Sequence, residues 1–224
     1  MPLDRVAIVG GTGDLGFALA TRWARAGLEV AIGSREAAKA ESSAMKLREI
    51  VPDARVEGLE NPDAAASSDT IVVAVPFSGF VPIYRSLAGS LREGAVVIDA
   101  TVPVEASVGG KATHVFGVWE GSAAQLGLAF LPKGTRMCAA FHTLSASAVA
   151  DLEHELEGDI LVCGNKEGKP VVKELVELLA DLRFVDAGPL ENARIVEPIT
   201  ALLIGINHRY KTDRAGIAIT GIDP

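Results

Sequence analysis

A glycine-rich turn near the start of the chain gives its clearest chemical signal. Gly11, Gly13 and Gly16 follow the apolar run Arg5–Val9 and precede the amphipathic stretch Phe17–Ala26. In such a strand–turn–helix context the first glycine permits a tight turn with unusual backbone angles, the second lets a pyrophosphate approach the backbone, and the third lets the helix pack on the strand. The N–H groups that begin the helix face the anion. We therefore predict that a dinucleotide is bound by Gly11, Thr12, Gly13, Asp14, Leu15 and Gly16.

The end of the next predicted strand indicates which dinucleotide is bound. The strand Glu29–Arg35 ends about 20 residues after the glycines, where a carboxylate would favour NAD. The chain has Ser34 and Arg35 there, with Lys39 one helical turn later. A guanidinium matches a phosphate dianion and Thr12 offers another hydroxyl, so we expect NADP(H) to be preferred over NAD(H). The alternative, in which the two cations only solvate a helix start, remains open, although cations there oppose the helix dipole.

Strand-like and helix-like segments alternate along the chain, which predicts parallel βαβ units. The expected fold is α/β, a Rossmann-type, doubly wound and mainly parallel sheet with a smaller C-terminal helical or mixed portion. We expect an NADP-binding domain at 1–150 and the smaller portion at 151–224, without a linker between them. The later predicted strands are Val56–Leu59, Thr70–Pro76, Ala95–Ala100, Met137–Thr143, Asp159–Cys163 and Arg183–Asp186.

The remaining segments are predicted to be helical or irregular. A small helix starts at Asn61, and the apolar spacing over Lys169–Leu182 predicts another. The segment Glu105–Thr135 is rich in glycine and serine, and we expect a loop of the kind that often carries function. Asn192–Asn207 is apolar over most of its circumference. Such a helix is expected to pack against the nucleotide domain or another subunit, and a homodimer is the default assembly.

Composition argues against several classes of protein. The chain has 224 residues and a formal net charge of −8, which disfavours general nucleic-acid binding. Its apolar runs are too short for a membrane span and its N-terminus leaves no room for a signal peptide, so we expect a cytoplasmic protein. Cys138 and Cys163 are expected to be buried thiols. The 4 histidines are not spaced for a metal site, and the nucleophile-elbow pattern of a hydrolase is absent.

Five segments together resemble the F420-dependent NADP reductases, along nearly the whole chain. They are Gly10–Asp14, Gly33–Arg35, Ala74–Phe77, Ala140–Thr143 and Asn207–Gly221. The resemblance implies that NADP and the deazaflavin coenzyme F420 are bound. It places Thr12, Ser34, Arg35 and Lys39 at the 2′-phosphate end of NADP, and Ala74, Val75, Pro76 and Phe77 near the cofactor.

The same resemblance implies a deazaflavin site in the second half of the chain. It places His142, Arg194 and Thr200 beside the ring. Pro198 stands where better-known members carry a small hydroxyl residue, so one hydrogen bond to the deazaflavin is expected to be missing. Two structural alternatives stay open: His142 can be a structural histidine, and Arg194 can be an exposed cation on the surface of a helix.

The implied reaction is direct hydride transfer between the nicotinamide and deazaflavin rings. The protein then has to align the rings and exclude water, with Arg194 stabilising negative charge on the deazaflavin. One alternative is an NADPH-dependent reductase of a small imine or keto acid, similar to pyrroline-carboxylate reductases. Another is a regulatory module that binds NADP without turnover and uses Asn192–Asn207 as a partner surface.

Overall fold

A computed structural model describes residues 3–222, and within them an eight-stranded sheet spans the molecule. The strand order is β3-β2-β1-β4-β5-β6-β7-β8. From β1 the strands are added first toward one edge of the sheet, through β2 and β3, and then toward the other edge, beginning with β4. The position between β1 and β4 is therefore the topological switch point of a doubly wound fold. The strands are β1 (Arg5–Val9), β2 (Glu29–Ser34), β3 (Val56–Glu60), β4 (Thr70–Val73), β5 (Val96–Asp99), β6 (Arg136–Ala139), β7 (Gly158–Gly164) and β8 (Leu182–Asp186).

Strand register brings the loops of the predicted site to one edge of the sheet. All neighbouring strands are parallel except β6 and β7. Val9 lies opposite Val73, Val73 opposite Asp99, and Asp99 opposite Ala139. The segments that follow β1, β4, β5 and β6 therefore leave the sheet side by side. This is the edge where open α/β sheets bind their ligands.

Helices cover both faces of the sheet and bury two apolar clusters. One face is filled around Trp23 and Leu175, and the other around Phe80 and Tyr84. The Trp23 indole also donates a hydrogen bond of 2.9 Å to the Leu175 carbonyl. The helices are α1 (Asp14–Arg25), α2 (Ala37–Ile50), α3 (Asn61–Ala66), α4 (Phe80–Leu87), α5 (Ala123–Phe130), α6 (Ala146–Ala150), α7 (Lys169–Glu177), α8 (Ala193–Val196) and α9 (Ile199–Tyr210).

The mainly parallel sheet agrees with the sequence prediction, but several element ends differ. β4 ends at Val73 and β6 at Ala139, earlier than predicted, because the backbone leaves the sheet after each of these residues. The segment expected to be irregular contains α5, whose N-cap Ser122 accepts a hydrogen bond from the Gln125 N–H. α7 ends at Glu177 rather than Leu182.

The predicted long helix over Asn192–Asn207 is wrong in one respect, because it is divided into α8 and α9. The break falls at Glu197 and Pro198, which form a turn between the two helices. Proline has no N–H to donate to the preceding helical turn. It is tolerated where a helix begins, and Pro198 is the N-cap residue of α9.

The last third of the chain continues the same sheet. β7 pairs with β6, and β8 pairs with β7. The segment after α9 returns to β7, where the Asp159 N–H donates to the Ile217 carbonyl over 2.7 Å. Cys138 and Cys163 are both buried and unbridged, which confirms the expected thiols. Among residues 3–222, no helix is both long and apolar enough to cross a bilayer.

Candidate functional site

The glycine loop after β1 closes on itself through backbone hydrogen bonds. The Gly11 N–H donates to the carbonyls of Ile8 and Gly33 over 3.0 and 2.9 Å, and the Gly13 N–H donates to Gly10 over 3.0 Å. The unusual backbone angle occurs at Gly10, with φ of 77°, and not at Gly11 as predicted. A Cβ on Gly10 would lie 2.6 Å from the Ala74 carbonyl oxygen. Glycine is therefore needed one position before the predicted pattern.

The third glycine of the pattern lets α1 pack against the loop. A Cβ on Gly16 would lie 2.8 Å from the Gly10 carbonyl oxygen and 2.9 Å from the Gly11 Cα. This close approach is the packing role predicted for it. Asn61, at the start of α3, adds a contact that sequence reasoning missed, because its side-chain oxygen accepts from the Gly10 N–H over 3.1 Å.

Most of the predicted nucleotide-binding residues line one cleft of about 320 Å³ at the sheet edge. The cleft brings the glycine loop together with the ends of β2 and β4, as the register requires. The predicted residues that line it are Thr12, Gly13, Ser34, Arg35, Lys39, Ala74, Val75 and Pro76. The cleft is also lined by Gly10, Ser78 and Gly79, and by Glu36, Asn61 and Ile83, which sequence reasoning missed.

Charges at the far end of this cleft include a carboxylate that sequence reasoning did not consider. Arg35 is exposed, and the Lys39 ammonium is 2.6 Å from a carboxylate oxygen of Glu36. The hydrogen bond and charge of Lys39 lower the pKa of Glu36. Ser34 is buried, and its hydroxyl accepts from the Glu36 N–H over 3.4 Å. Glu36 therefore offsets part of the positive charge that Lys39 and Arg35 supply.

The other predicted residues of the loop lie around the cleft. Asp14 is exposed and lines a second cavity of about 430 Å³, on which Thr12 and Gly13 also border. Leu15, in the first turn of α1, packs against the apolar core. Phe77 follows β4, where its ring stacks on Phe116 with centroids 6.3 Å apart. Phe116 comes from the long segment between β5 and α5, so that segment contacts the residues that follow β4.

His142 lies in a sharp turn at the end of β6. The preceding residue, Phe141, has a φ of 68°, which is rare for an aromatic residue and marks a constrained turn. The Phe141 ring is held edge-on against Trp23, with centroids 5.7 Å apart. His142 is 3% exposed, and burial lowers its pKa to about 4. Neither ring nitrogen has a hydrogen-bond partner among residues 3–222.

Thr200 is joined directly to the His142 segment. Its hydroxyl donates to the His142 carbonyl over 2.7 Å. Both residues line a cavity of about 250 Å³, which Leu203 and Asn207 of α9 also line. The structure thus brings together two of the three residues predicted beside the deazaflavin.

Arg194 does not share these hydrogen bonds. It is exposed on α8, and its Nε donates to the Glu191 carbonyl over 2.7 Å. Pro198 lies between Arg194 and Thr200, where it begins α9. The α8–α9 turn therefore sets where Arg194 lies relative to Thr200.

A buried group of titratable residues behind this edge escaped sequence reasoning. Tyr84 and Asp99 have no exposed surface, and Glu197 is 1% exposed. Burial raises the pKa of Asp99 to about 7 and that of Glu197 to about 8, with the Asp99 charge adding to the second shift. Burial likewise raises the pKa of Tyr84. Local sequence gives no signal of this group, because its members are widely separated along the chain.

No cluster of three or more metal-ligating side chains occurs within the part of the chain that the structure describes. His142 is buried and His114 is half-exposed, where it pairs with Glu105 over 3.2 Å. His154 pairs with Asp151 over 2.8 Å. These pairs are ordinary contacts between a histidine and one carboxylate.

Comparison with known structures agrees with the fold. A candidate F420-dependent NADP reductase from Arthrobacter sp. FB24 superposes with a TM-score of 0.79 at 21% identity, covering 98% of this chain and all 100% of that one. A reductive aminase of Aspergillus terreus, solved with NADPH, superposes with a TM-score of 0.60 at 16% identity. The superposed region covers 94% of this chain and 63% of the reductive aminase.

Sequence comparison identifies the family. The family model described as NADP oxidoreductase, coenzyme F420-dependent, matches residues 5–103. The F420-dependent NADP reductase of Methanothermobacter thermautotrophicus is 45% identical over 222 residues, which cover 97% of this chain and 95% of that protein. The F420-dependent NADP reductase of Methanocaldococcus jannaschii is 38% identical, over 98% of this chain and 99% of that protein. The chain therefore belongs to the F420-dependent NADP reductase family.

Proposed function

We propose that this oxidoreductase transfers a hydride directly between NADP(H) and the deazaflavin ring of coenzyme F420. The observation that carries the proposal is the arrangement of two cavities at one sheet edge. The first contains the glycine loop and the cations at the end of β2, and the second contains His142 and Thr200. Two cavities agree with membership of this family, because its relatives are named for two cofactors, F420 and NADP.

The residues of the first cleft fit NADP. A Cβ on Gly13 would meet only the Gly10 carbonyl oxygen, at 3.4 Å, so backbone can approach a pyrophosphate there. The helix α1 begins at the next residue, and its first N–H groups are suited to an anion. The 2′-phosphate is then bound by Ser34, Arg35 and Lys39. Arg35 is exposed, and the ion pair at the start of α2 joins Lys39 to Glu36, so the Arg35 guanidinium is left for the phosphate.

The residues of the second cavity fit a flat ring edged with amide groups. His142 is neutral near neutral pH because its pKa is lowered, so one ring nitrogen donates and the other accepts. Two buried, unpartnered nitrogens are costly unless a ligand or solvent satisfies them. Thr200 already donates to the His142 carbonyl, which leaves its oxygen lone pairs for a ligand donor.

The protein's part in the reaction is positioning and electrostatics. When bound, the nicotinamide and deazaflavin rings supply the carbons between which the hydride moves. The glycine loop and Pro76 fix one ring, and His142 with Thr200 fixes the other. Arg194 supplies positive charge for the ring that becomes anionic. Val75 lines the first cavity and Leu203 the second, and these apolar side chains help to exclude water from the rings.

The decisive experiment mixes the protein anaerobically with reduced coenzyme F420 and NADP⁺ while following deazaflavin absorbance. Rapid oxidation of the deazaflavin with matching NADPH formation is the expected result. Tight NADPH binding without deazaflavin turnover would overturn the proposal. That outcome would favour a small imine or keto acid as substrate, or a module that binds NADP without reaction.

Substitution of Arg194 tests the deazaflavin end separately. Arg194→Ala is expected to raise the KM for coenzyme F420 about tenfold, as for loss of a hydrogen bond to a charged group, and to leave the KM for NADP unchanged. Arg92→Ala is the matched control, because Arg92 pairs with Asp69 at the opposite end of β4 over 3.3 Å. Equal effects of both substitutions would contradict the assignment of Arg194.

The assembly proposed is a cytoplasmic homodimer, and each subunit has two functional parts that meet near residue 150. Residues 1–150 hold NADP, and residues 151–224 complete the deazaflavin site and supply the dimer contact. Ile195 and Leu202 support this, being 66% and 60% exposed on α8 and α9. Light scattering is expected to give twice the monomer mass, and Leu202→Glu to give the monomer. A monomeric native protein would contradict the proposal.

A further inference from the structure

Glu197 occupies the turn between α8 and α9, and its carboxylate reaches across to another helix. One oxygen accepts from the Ala123 N–H over 2.8 Å, and the other accepts from the Ala124 N–H over 3.1 Å. These are the first two residues of α5, whose N–H groups have no partner within their own helix. Glu197 thus connects the α8–α9 turn to a helix more than seventy positions earlier in the chain.

The backbone of Glu197 is tied to both neighbouring helices. Its N–H donates to the Ala193 carbonyl over 2.9 Å, and its carbonyl accepts from the Thr200 N–H over 3.2 Å. Arg194 stands three positions before it and Thr200 three positions after it. A displacement of Glu197 therefore moves both of these residues.

We propose that Glu197 is a positioning residue, whose carboxylate bonds to α5 hold the α8–α9 turn so that Arg194 and Thr200 fit the deazaflavin. This inference rests on the proposed function, because that function assigns the two residues to the deazaflavin. The anchor is an internal one: Glu197 is 1% exposed and touches neither cofactor cavity described above. It acts through Arg194 and Thr200 and takes no part in hydride transfer.

The chemistry of the anchor explains why an ionisable residue is used. A carboxyl group presents two acceptors with the spacing of two successive N–H groups at a helix N-terminus, and the helix dipole favours it there. Leaving those N–H groups buried without acceptors would be costly. Burial and the Asp99 charge raise the pKa of Glu197 to about 8, and the two N–H donors of α5 act against that rise. A glutamine, which is neutral and keeps one oxygen acceptor, therefore preserves part of the anchor.

Three variants test the proposal. Glu197→Ala removes both acceptors, and Glu197→Gln keeps one of them. Val176→Ala is the matched control, since it removes buried apolar volume from α7 and destabilises the fold without touching this turn. Two measurements are made on each: hydrogen exchange of peptides covering 193–201 in the protein without cofactors, and steady-state KM values for both cofactors.

The expected result separates the Glu197 variants from the control. Glu197→Ala is expected to speed exchange over 193–201 and to raise the KM for coenzyme F420 about tenfold, with the KM for NADP unchanged. Glu197→Gln is expected to give a KM for coenzyme F420 between those of the native protein and Glu197→Ala, and Val176→Ala is expected to change neither local exchange nor one KM selectively.

Two other outcomes would overturn the proposal, and each contradicts a different step of it. Unchanged exchange in Glu197→Ala would show that the anchor does not hold the turn. Faster exchange with an unchanged KM would show that the turn does not position the deazaflavin site. Failure of the proposed function appears separately, as absence of deazaflavin turnover in the native protein, and leaves the exchange measurement interpretable.

Discussion

The Thr200 hydroxyl lies 2.7 Å from the backbone carbonyl oxygen of His142, to which it donates a hydrogen bond. This contact joins the first turn of α9 to the constrained turn that follows β6. It fixes the distance between two residues that are 58 positions apart in the sequence. The second cavity thus has one wall from the sheet edge and one from the C-terminal helix.

Removing this hydroxyl tests its importance. Thr200→Val keeps the shape of the side chain but cannot donate, so the His142 carbonyl loses its partner. The expected result is a KM for coenzyme F420 that rises about five- to tenfold, the range for one hydrogen bond, with NADP kinetics unchanged. Thr200→Ser retains the hydroxyl and is expected to stay within about twofold of the native KM. Equal kinetics in the two variants would contradict a role for the hydroxyl.

Arg35 is expected to determine the preference for NADP. Its guanidinium is exposed at the cleft end, and Arg35→Ala is expected to raise the KM for NADP about tenfold or more, the value of a charge-assisted hydrogen bond. The KM for NAD should change little. Arg48→Ala is the control on α2, the helix that follows Arg35, because Arg48 donates to the Val56 carbonyl over 2.5 Å and does not line the cleft.

Glu36 is expected to work against the 2′-phosphate. Its carboxylate pairs with Lys39 over 2.6 Å and is itself at the cleft. Glu36→Gln removes a negative charge and releases the Lys39 ammonium, so the KM for NADP should fall by a few-fold and the NADP-over-NAD preference should rise. The effect should shrink as salt is added, because these charges are exposed. A raised KM for NADP would contradict this account.

Gly58 is expected to be essential for stability because β3 touches the backbone of α2. A Cβ there would lie 2.2 Å from the Ala40 carbonyl carbon and 2.3 Å from the Glu41 nitrogen, and neither atom can move aside as a side chain could. Gly58→Ala is expected to lower the free energy of unfolding by about 1–3 kcal/mol or more. Gly89→Ala is the control, since a Cβ at Gly89 meets nothing within 4 Å. Thermal unfolding of the two variants compares them directly.

The buried carboxyl groups are expected to make the protein less stable as the pH rises through neutrality. The ordinary values are 3.8 for Asp99 and 4.5 for Glu197, and the folded values are about 7 and about 8. The folded state therefore binds protons more tightly than the unfolded state does. The resulting stability is complete below the unfolded pKa values and is lost as pH rises through the folded ones.

Glu197→Gln removes one of these titrations. From about pH 5 to about pH 8, between the unfolded and folded pKa values of Glu197, the fall in the free energy of unfolding should be smaller in the variant, by as much as about 1.4 kcal/mol per pH unit. Denaturant unfolding at several pH values measures this. Glu174→Gln, an exposed position on α7, is the control and should follow the native protein. Identical slopes for Glu197→Gln and the native protein would contradict the raised pKa.

The sequence by itself determined the features that depend on short-range patterns. The alternation of apolar strands and amphipathic helices predicted the parallel sheet, because each period is fixed by local backbone geometry. The glycine spacing together with Ser34 and Arg35 predicted the cleft that the structure forms. Segment resemblance predicted the family, which the relatives at 38–45% identity confirm.

Only the tertiary structure decided how distant residues combine. It placed the positive φ at Gly10 rather than Gly11, at a position where the Ala74 carbonyl that follows β4 leaves no room for a Cβ. It paired Glu36 with Lys39, and it set Glu197 against the start of α5. Burial of Asp99 and Glu197, with their raised pKa values, also depends on helices from separate parts of the chain. Such contacts and desolvation arise from packing, and no local pattern encodes them.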